Sequence, residues 1–185
     1  MTKVILASKS PRRKELMQLL KIPFEIIVSD IDEKIDYNND LVKEIEKLSY
    51  QKANAVFKDH QDAIVIGADT IVKIGNDVLG KPHSIDEARK MLKELSDNTH
   101  EVVTGVTILY KDNVETFSDV SKVTFYPLSD EEIEEYIHTN EPMDKAGSYA
   151  IQGDGAKFIK WIDGDYYSIV GLPIGQVYHK IKKYL

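Results

Sequence analysis

Short apolar runs alternate along the chain with longer segments of helical spacing, and this alternation predicts a mixed α/β order of elements. Val4-Ile5-Leu6-Ala7 is an unbroken apolar run, which predicts a short buried strand. Ser10 followed by Pro11 predicts an N-cap with proline at the first helical position. That helix should run to about Leu20, with Leu16, Leu19 and Leu20 inward and Pro23 beyond its end. Phe24 to Val28 follows as a strand. Leu41, Ile45, Leu48 and Val56 recur at helical spacing and predict a helix over Leu41 to Phe57, capped by Asp40. Ala63 to Ile66 and Ile71 to Ile74 flank Gly67-Ala68-Asp69-Thr70, so a hairpin starting at an Asp69 corner is expected, with a turn at Gly75-Asn76-Asp77.

Ser84 with Glu87 and Ser129 with Glu132 are capping-box pairs, opening helices to about Leu95 and His138. Between them, His100 to Tyr110 and Val114 to Tyr126 are rich in Val, Thr and aromatic residues. They predict two long antiparallel strands joined at Lys111-Asp112-Asn113. A second hairpin is expected from Lys157 to Ile162 and Tyr166 to Val170, turning at Asp163-Gly164. Pro173 starts a closing helix to about Tyr184. No repeat, low-complexity run or Gly/Ser linker interrupts the order, so residues 1–185 are expected to form a single domain, a twisted sheet with helices against it.

Composition acts mainly by exclusion. At 185 residues the chain suffices for one well-buried core, and 42% hydrophobic with 30% charged residues is ordinary for a soluble globular protein. The absence of cysteine excludes disulfides, thiolate-held zinc, iron–sulfur clusters and Cys nucleophiles together. His60, His83, His100, His138 and His179 show no paired ligand spacing, which disfavours zinc. A net charge of −7 opposes non-specific nucleic-acid binding. The first apolar run is too short for a signal-peptide core or a membrane span, so a cytoplasmic protein without membrane attachment is expected. Neither a phosphate-loop sequence ending in Gly-Lys-Ser/Thr nor a dinucleotide fingerprint occurs.

Charge is nevertheless localised. Lys3, Lys9, Arg12, Arg13 and Lys14 crowd the first fourteen residues, and Asp30, Asp32 and Glu33 follow one element later. Ser8-Lys9-Ser10-Pro11-Arg12-Arg13 joins a polar loop, a helix N-terminus and two guanidinium groups, which together suit phosphate; a solvated capped helix fits the same residues. Asp30-Ile31-Asp32-Glu33 could hold magnesium through one or two carboxylates, or form an acidic loop. Gly67-Ala68-Asp69-Thr70 places an acid and a hydroxyl at an expected strand end, where Asp can also simply bond its own backbone. Lys81 in Leu79-Gly80-Lys81-Pro82 offers a point charge for phosphate or a surface turn. In the glycine-rich stretch from Asp144 to Gly155, Gln152 carries the acceptor and donors that a uracil or thymine edge requires.

In this order the motifs resemble those of the Maf family of nucleoside triphosphate pyrophosphatases, and the likeness runs through the whole chain. The matching segments are Leu6 to Arg13, Asp32-Glu33, Lys52, Gly67 to Thr70, Gly80-Lys81-Pro82, Asp144 to Gly147, Ile151-Gln152-Gly153 and Val170 to Pro173. The resemblance implies an inosine-triphosphatase-like fold, a long curved mixed sheet with two lobes and a central cleft, and a homodimer. It implies hydrolysis of dTTP and UTP, with CTP or modified pyrimidine nucleotides as further substrates, to the monophosphate and pyrophosphate. Asp69 would be the general base. Arg12, Thr70 and Gln152 would set specificity, and Ser8, Ser10, Arg13, Lys52 and Lys81 would bind phosphate. Glu33 and Asp69 would approach a divalent cation, Mg2+ or Mn2+. Two other readings share these parts: a nucleotide-binding regulator of septum formation, and a purine pyrophosphatase acting on ITP or 7-methyl-GTP.

Overall fold

The computed structural model of the protein describes residues 2–185. The first apolar run becomes β1 (Val4–Leu6), buried throughout because it lies between β2 (Glu25–Ile26) and β3 (Ile64–Ile74), parallel to both. β2 is shorter than expected and exposed, as befits an edge. In α1 (Pro11–Leu19) the Ser10 hydroxyl caps the Arg13 amide, as predicted. Its inward face differs from the expected one: Arg13, Leu16 and Met17 are buried, whereas Leu19 is 54% exposed. Those three residues stand at i, i+3 and i+4, so a guanidinium occupies the helix's buried stripe.

Helix α2 (Leu41–Phe57) has the expected bounds, and Asp40 caps it through the Val42 amide. Ile45, Leu48, Ala53 and Val56 are buried, each large side chain contributing about 1.5–3 kcal/mol. The helix can approach the sheet closely because two facing residues lack a side chain. A Cβ on Gly67 would lie 2.5 Å from the Ser49 carbonyl oxygen and 2.6 Å from the Ala53 nitrogen, and one on Gly105 would lie 2.8 Å from the Ile45 carbonyl oxygen. Buried hydroxyls are paired beside this contact, Ser49 with Thr107 at 2.8 Å and Thr107 with Thr116 at 2.9 Å.

β3 is one continuous strand of 11 residues, so Asp69 lies mid-strand rather than at a hairpin corner. Its run of β-branched residues carries the strand through Gly67 and Thr70 without a turn. The hairpin forms later, where β4 (Asp77–Leu79) returns antiparallel to β3 after Gly75 at φ +55°. α3 (Ile85–Leu95) is capped by Ser84, although Glu87 takes the His83 amide instead of closing the box. α4 (Asp130–Ile137) has the full capping box. β5 (Thr99–Tyr110) and β6 (Asn113–Phe125) form the predicted long pair, with Thr99 opposite Thr124 and Thr107 opposite Thr116.

The expected second hairpin is not formed. β7 (Ile159–Asp163) pairs antiparallel with β6, and Tyr166–Val170 is a short helix, α5. Asp165 starts that helix by accepting the Tyr167 amide at 2.8 Å, while the Ser121 hydroxyl accepts the Asp165 amide at 2.9 Å. This local capping overrides the strand preference of Tyr, Ile and Val. α6 (Ile174–Ile181) closes the chain.

The strand order is β2-β1-β3-β5-β6-β7, with β4 added on β3. The chain divides into two compact units. The first comprises the chain up to Thr70, Thr104–Asp119 and Gly171–Leu185, and part of its core is Ile5, Ala7, Ala53, Val56, Val65 and Leu109. The second comprises Ile71–Val103 and Val120–Val170, and its core gathers residues such as Leu92, Phe125, Tyr136, Tyr149 and Phe158. Among the described residues, no helix is long and apolar enough to cross a membrane.

Candidate active site

The first unit collects six of the residues singled out in the sequence. Ser8, Ser10 and Arg13 come from the loop after β1 and the first turn of α1; Lys52 comes from α2, and Asp69 and Thr70 from β3. Arg13 is the organiser. Its Nε donates to the Gly171 carbonyl at 2.8 Å, one terminal nitrogen to Thr70 Oγ1 at 3.0 Å, and the other to Ser8 Oγ at 3.4 Å. Thr70 is tied onward to Thr104 Oγ1 at 2.9 Å. Burial lowers the Arg13 pKa, opposed by the negative charge of Asp69, and Arg12 pushes it the same way as burial while Glu33 opposes. A guanidinium remains cationic under such a shift, so Arg13 is a fixed positive charge with oriented donors.

Lys52 lies four residues from Leu48 and from Val56 on the apolar stripe of α2 and is 7% exposed. A lysine this buried requires anionic partners. Its ammonium is 2.7 Å from Asp69 Oδ1 and 3.0 Å from Glu33 Oε1, and the Glu33 side chain remains about half exposed. The close approach of α2 to Gly67 sets this geometry, because it brings Lys52 down to the level of Asp69 on β3. Ser10 is spent partly on the cap, and Arg12 is half-buried one residue before Arg13.

Lys81 and Gln152 belong to the second unit, and both are exposed. Lys81 follows β4, and the Gly80 carbonyl beside it accepts the Gly147 amide at 3.1 Å. Gly147 adopts φ +70° there, with Val72 against it. Gln152 stands in a turn closed by the Gly153 amide on the Ala150 carbonyl at 3.3 Å.

Sequence reasoning gave no role to Thr104 or to the Gly171 carbonyl. Thr104 is one threonine among several in a strand, and a backbone carbonyl has no sequence signature. Lys52, by contrast, had a signal available in its place on an apolar helix face. Among the described residues no group of three or more His, Asp or Glu side chains could hold a metal. Two carboxylates do converge on one cation, the Lys52 ammonium. An oxygen pair of that kind fits a magnesium-type ion, which takes one or two carboxylates and completes its shell with water and phosphate oxygens.

The arrangement is that of a phosphate-handling α/β protein: buried cations beside carboxylates, held by a parallel strand and a helix N-terminus. Its fold is similar to that of the Ham1 protein of Staphylococcus aureus, with a TM-score of 0.56 at 12% identity and 100% of both chains covered. It is the mixed α/β, inosine-triphosphatase-like class that the motifs implied. The chain belongs to the Maf-like protein family, whose model matches residues 3–184. It is 52% identical over 185 residues to a dTTP/UTP pyrophosphatase of Bacillus velezensis, covering 100% of this chain and 98% of that one. A dTTP/UTP pyrophosphatase of Bacillus cytotoxicus is 50% identical over 184 residues, covering 100% of this chain and 96% of that one.

Proposed function

We propose that this protein is a nucleoside triphosphate pyrophosphatase that hydrolyses dTTP and UTP to the monophosphate and pyrophosphate. Full-length identity near 50% to dTTP/UTP pyrophosphatases supports the activity. The observation that carries the chemistry is the buried Lys52 ammonium held between Asp69 and Glu33, beside the fixed guanidinium of Arg13.

In the proposed reaction Asp69 takes a proton from water as the water oxygen bonds to the α-phosphorus. The bond from that phosphorus to the bridging oxygen breaks, and pyrophosphate leaves with the electron pair. With Oδ1 engaged by Lys52, Asp69 Oδ2 is the proton acceptor. Lys52 holds that carboxylate in place, and Arg13 supplies positive charge to the phosphates with Ser8, Ser10 and Lys81 as further contacts. Glu33 and Asp69 would hold Mg2+ or Mn2+, which when bound would supply positive charge to offset that of the phosphates. Arg12, Thr70 and Gln152 select the pyrimidine substrate in this reading, and the enzyme works as a cytoplasmic homodimer.

The test is pyrophosphate release from dTTP, UTP, CTP, ITP and 7-methyl-GTP with Mg2+ or Mn2+, for the wild type and Asp69→Asn. General-base assistance is worth roughly a hundredfold to ten-thousandfold, so the variant should lose turnover by that factor while still binding nucleotide. Added chelator should stop release. Near-wild-type hydrolysis by the variant, or a strong preference for ITP, overturns the proposal. Wild-type protein that binds UTP without cleaving it would favour the regulator instead.

A further inference from the structure

We infer that Glu141 is the positioning residue for substrate selection, holding the turn that carries Gln152; this rests on the reading of Gln152 as the group that meets the base. Glu141 follows α4, and its carboxylate gathers donors from the far side of the glycine-rich segment. Oε1 accepts the Asp154 amide at 2.9 Å, and Oε2 accepts the Gly155 amide at 3.0 Å together with the Tyr136 hydroxyl. Tyr136 is 1% exposed, and its oxygen accepts the Ala150 amide at 3.2 Å. The turn is therefore gripped on both sides of Gln152: Ala150 before it through Tyr136, Asp154 and Gly155 after it through Glu141. Both grips meet in one Tyr136–Glu141 hydrogen bond.

The donor set calls for a carboxylate here. Three donors converge on its two oxygens, and a carboxylate is acceptor-only, whereas an amide would turn an NH2 toward one of them. Burial and the bond to Glu141 push the Tyr136 pKa up, which keeps its hydroxyl a donor. Gly153 completes the device. A Cβ at that position would stand 1.7 Å from Glu141 Oε1, so only glycine lets the carboxylate reach the two amides beyond. Gln152 is carried by this turn; an unpinned turn would present its amide in the reading position only part of the time. Apparent affinity falls by the fraction of time the competent conformation is populated.

Two independent substitutions test this. Glu141→Gln replaces one of the two acceptor oxygens with a donor, and Gly153→Ala expels the carboxylate without altering it. Hydrogen exchange of residues 150–155 reads the turn, and steady-state kinetics with UTP, dTTP and ITP read selection. Each variant should speed exchange in that segment by about tenfold or more and raise KM for UTP and dTTP by about tenfold, with kcat within about threefold. The double variant should lose no more than either single one, since both break the same contact. Should Glu141→Gln fail to fold, Tyr136→Phe, which cuts the shared bond, stands in for it. Unchanged exchange and KM in folded variants overturn the inference, as does a loss confined to kcat for all nucleotides alike. A wild type with no preference for UTP and dTTP overturns the Gln152 reading and the selective role with it, while exchange still scores the grip of Glu141 on the turn.

Discussion

Replacing Gly67 with alanine tests the link between packing and chemistry at its tightest point. The added methyl would sit 2.5 Å from the Ser49 carbonyl oxygen and 2.6 Å from the Ala53 nitrogen, both backbone atoms of α2. Ordinary contacts begin at about 3.4 Å, so the helix must retreat by roughly 1 Å, since neither atom belongs to a side chain that could rotate away. Overpacking of this kind costs about 1–3 kcal/mol, and the rigidity of two backbones puts the site toward the upper end. At about 2–4 °C per kcal/mol for a chain of this size, Tm should fall by roughly 5–12 °C. The same displacement moves Lys52 away from Asp69, and a misplacement of about 1 Å can cost on the order of a hundredfold in rate. Circular dichroism melts and pyrophosphate release from UTP, measured well below the variant's transition, read the two effects. Gly175→Ala is the control, because nothing lies within 4 Å of its Cβ position. A Gly67→Ala protein that melts and turns over like wild type would refute the close approach of α2 as the source of the Lys52–Asp69 geometry.

Arg13→Lys keeps the charge but cannot reach Gly171, Thr70 and Ser8 together, so kcat/KM for UTP should fall on the order of a hundredfold while Arg12→Lys keeps the Arg13 contacts intact. His100 packs edge-on against Phe125 and Tyr149, and burial lowers its pKa to about 4, below the ordinary value of about 6.5. The unfolded chain therefore binds its proton first as pH falls, so the contribution is intact above about pH 6.5 and is lost on the way down to about pH 4, by about 3 kcal/mol. Denaturant melts across that range should show this loss in wild type, and His100→Phe should remove that part of the slope.

Caps and apolar spacing made most of the helices legible. Ser10-Pro11, Asp40, Ser84 and Ser129 each opened a helix where the structure has one, because side-chain oxygens and a missing proline N–H act locally. Tyr166–Val170 went the other way. Its residues favour strands, and the local cap of Asp165 on the Tyr167 amide is held in place by Ser121, 44 positions away, which accepts the Asp165 amide. The inward face of α1 was misread for a related reason: a buried arginine is stable there only because Gly171, Thr70 and Ser8 accept its protons, and two of those three come from distant segments. The capping and cationic character of Ser8 to Arg13 could be read from residue types, but the partners of Arg13 are set by tertiary structure. Asp69 was found as a chemical group and misplaced as a corner, since Gly-Ala-Asp-Thr can turn or run straight until a neighbouring strand decides.

The bond from Arg13 to the Gly171 carbonyl joins residues 158 positions apart, and it bears on when the molecule becomes competent during its synthesis. A growing chain exposes Ser8, Arg13, Lys52, Asp69, Thr70 and Thr104 long before Gly171 emerges. Until then the buried guanidinium lacks the acceptor for its Nε, the shortest of its three bonds, and burying that donor unpaired is unfavourable. Translation proceeds at about 5–20 residues per second, so the loop from Ser8 to Arg13 waits several seconds for its last support. The ribosome-bound fragment is thereby kept from settling this loop early, and a chain truncated before Gly171 would never settle it at all.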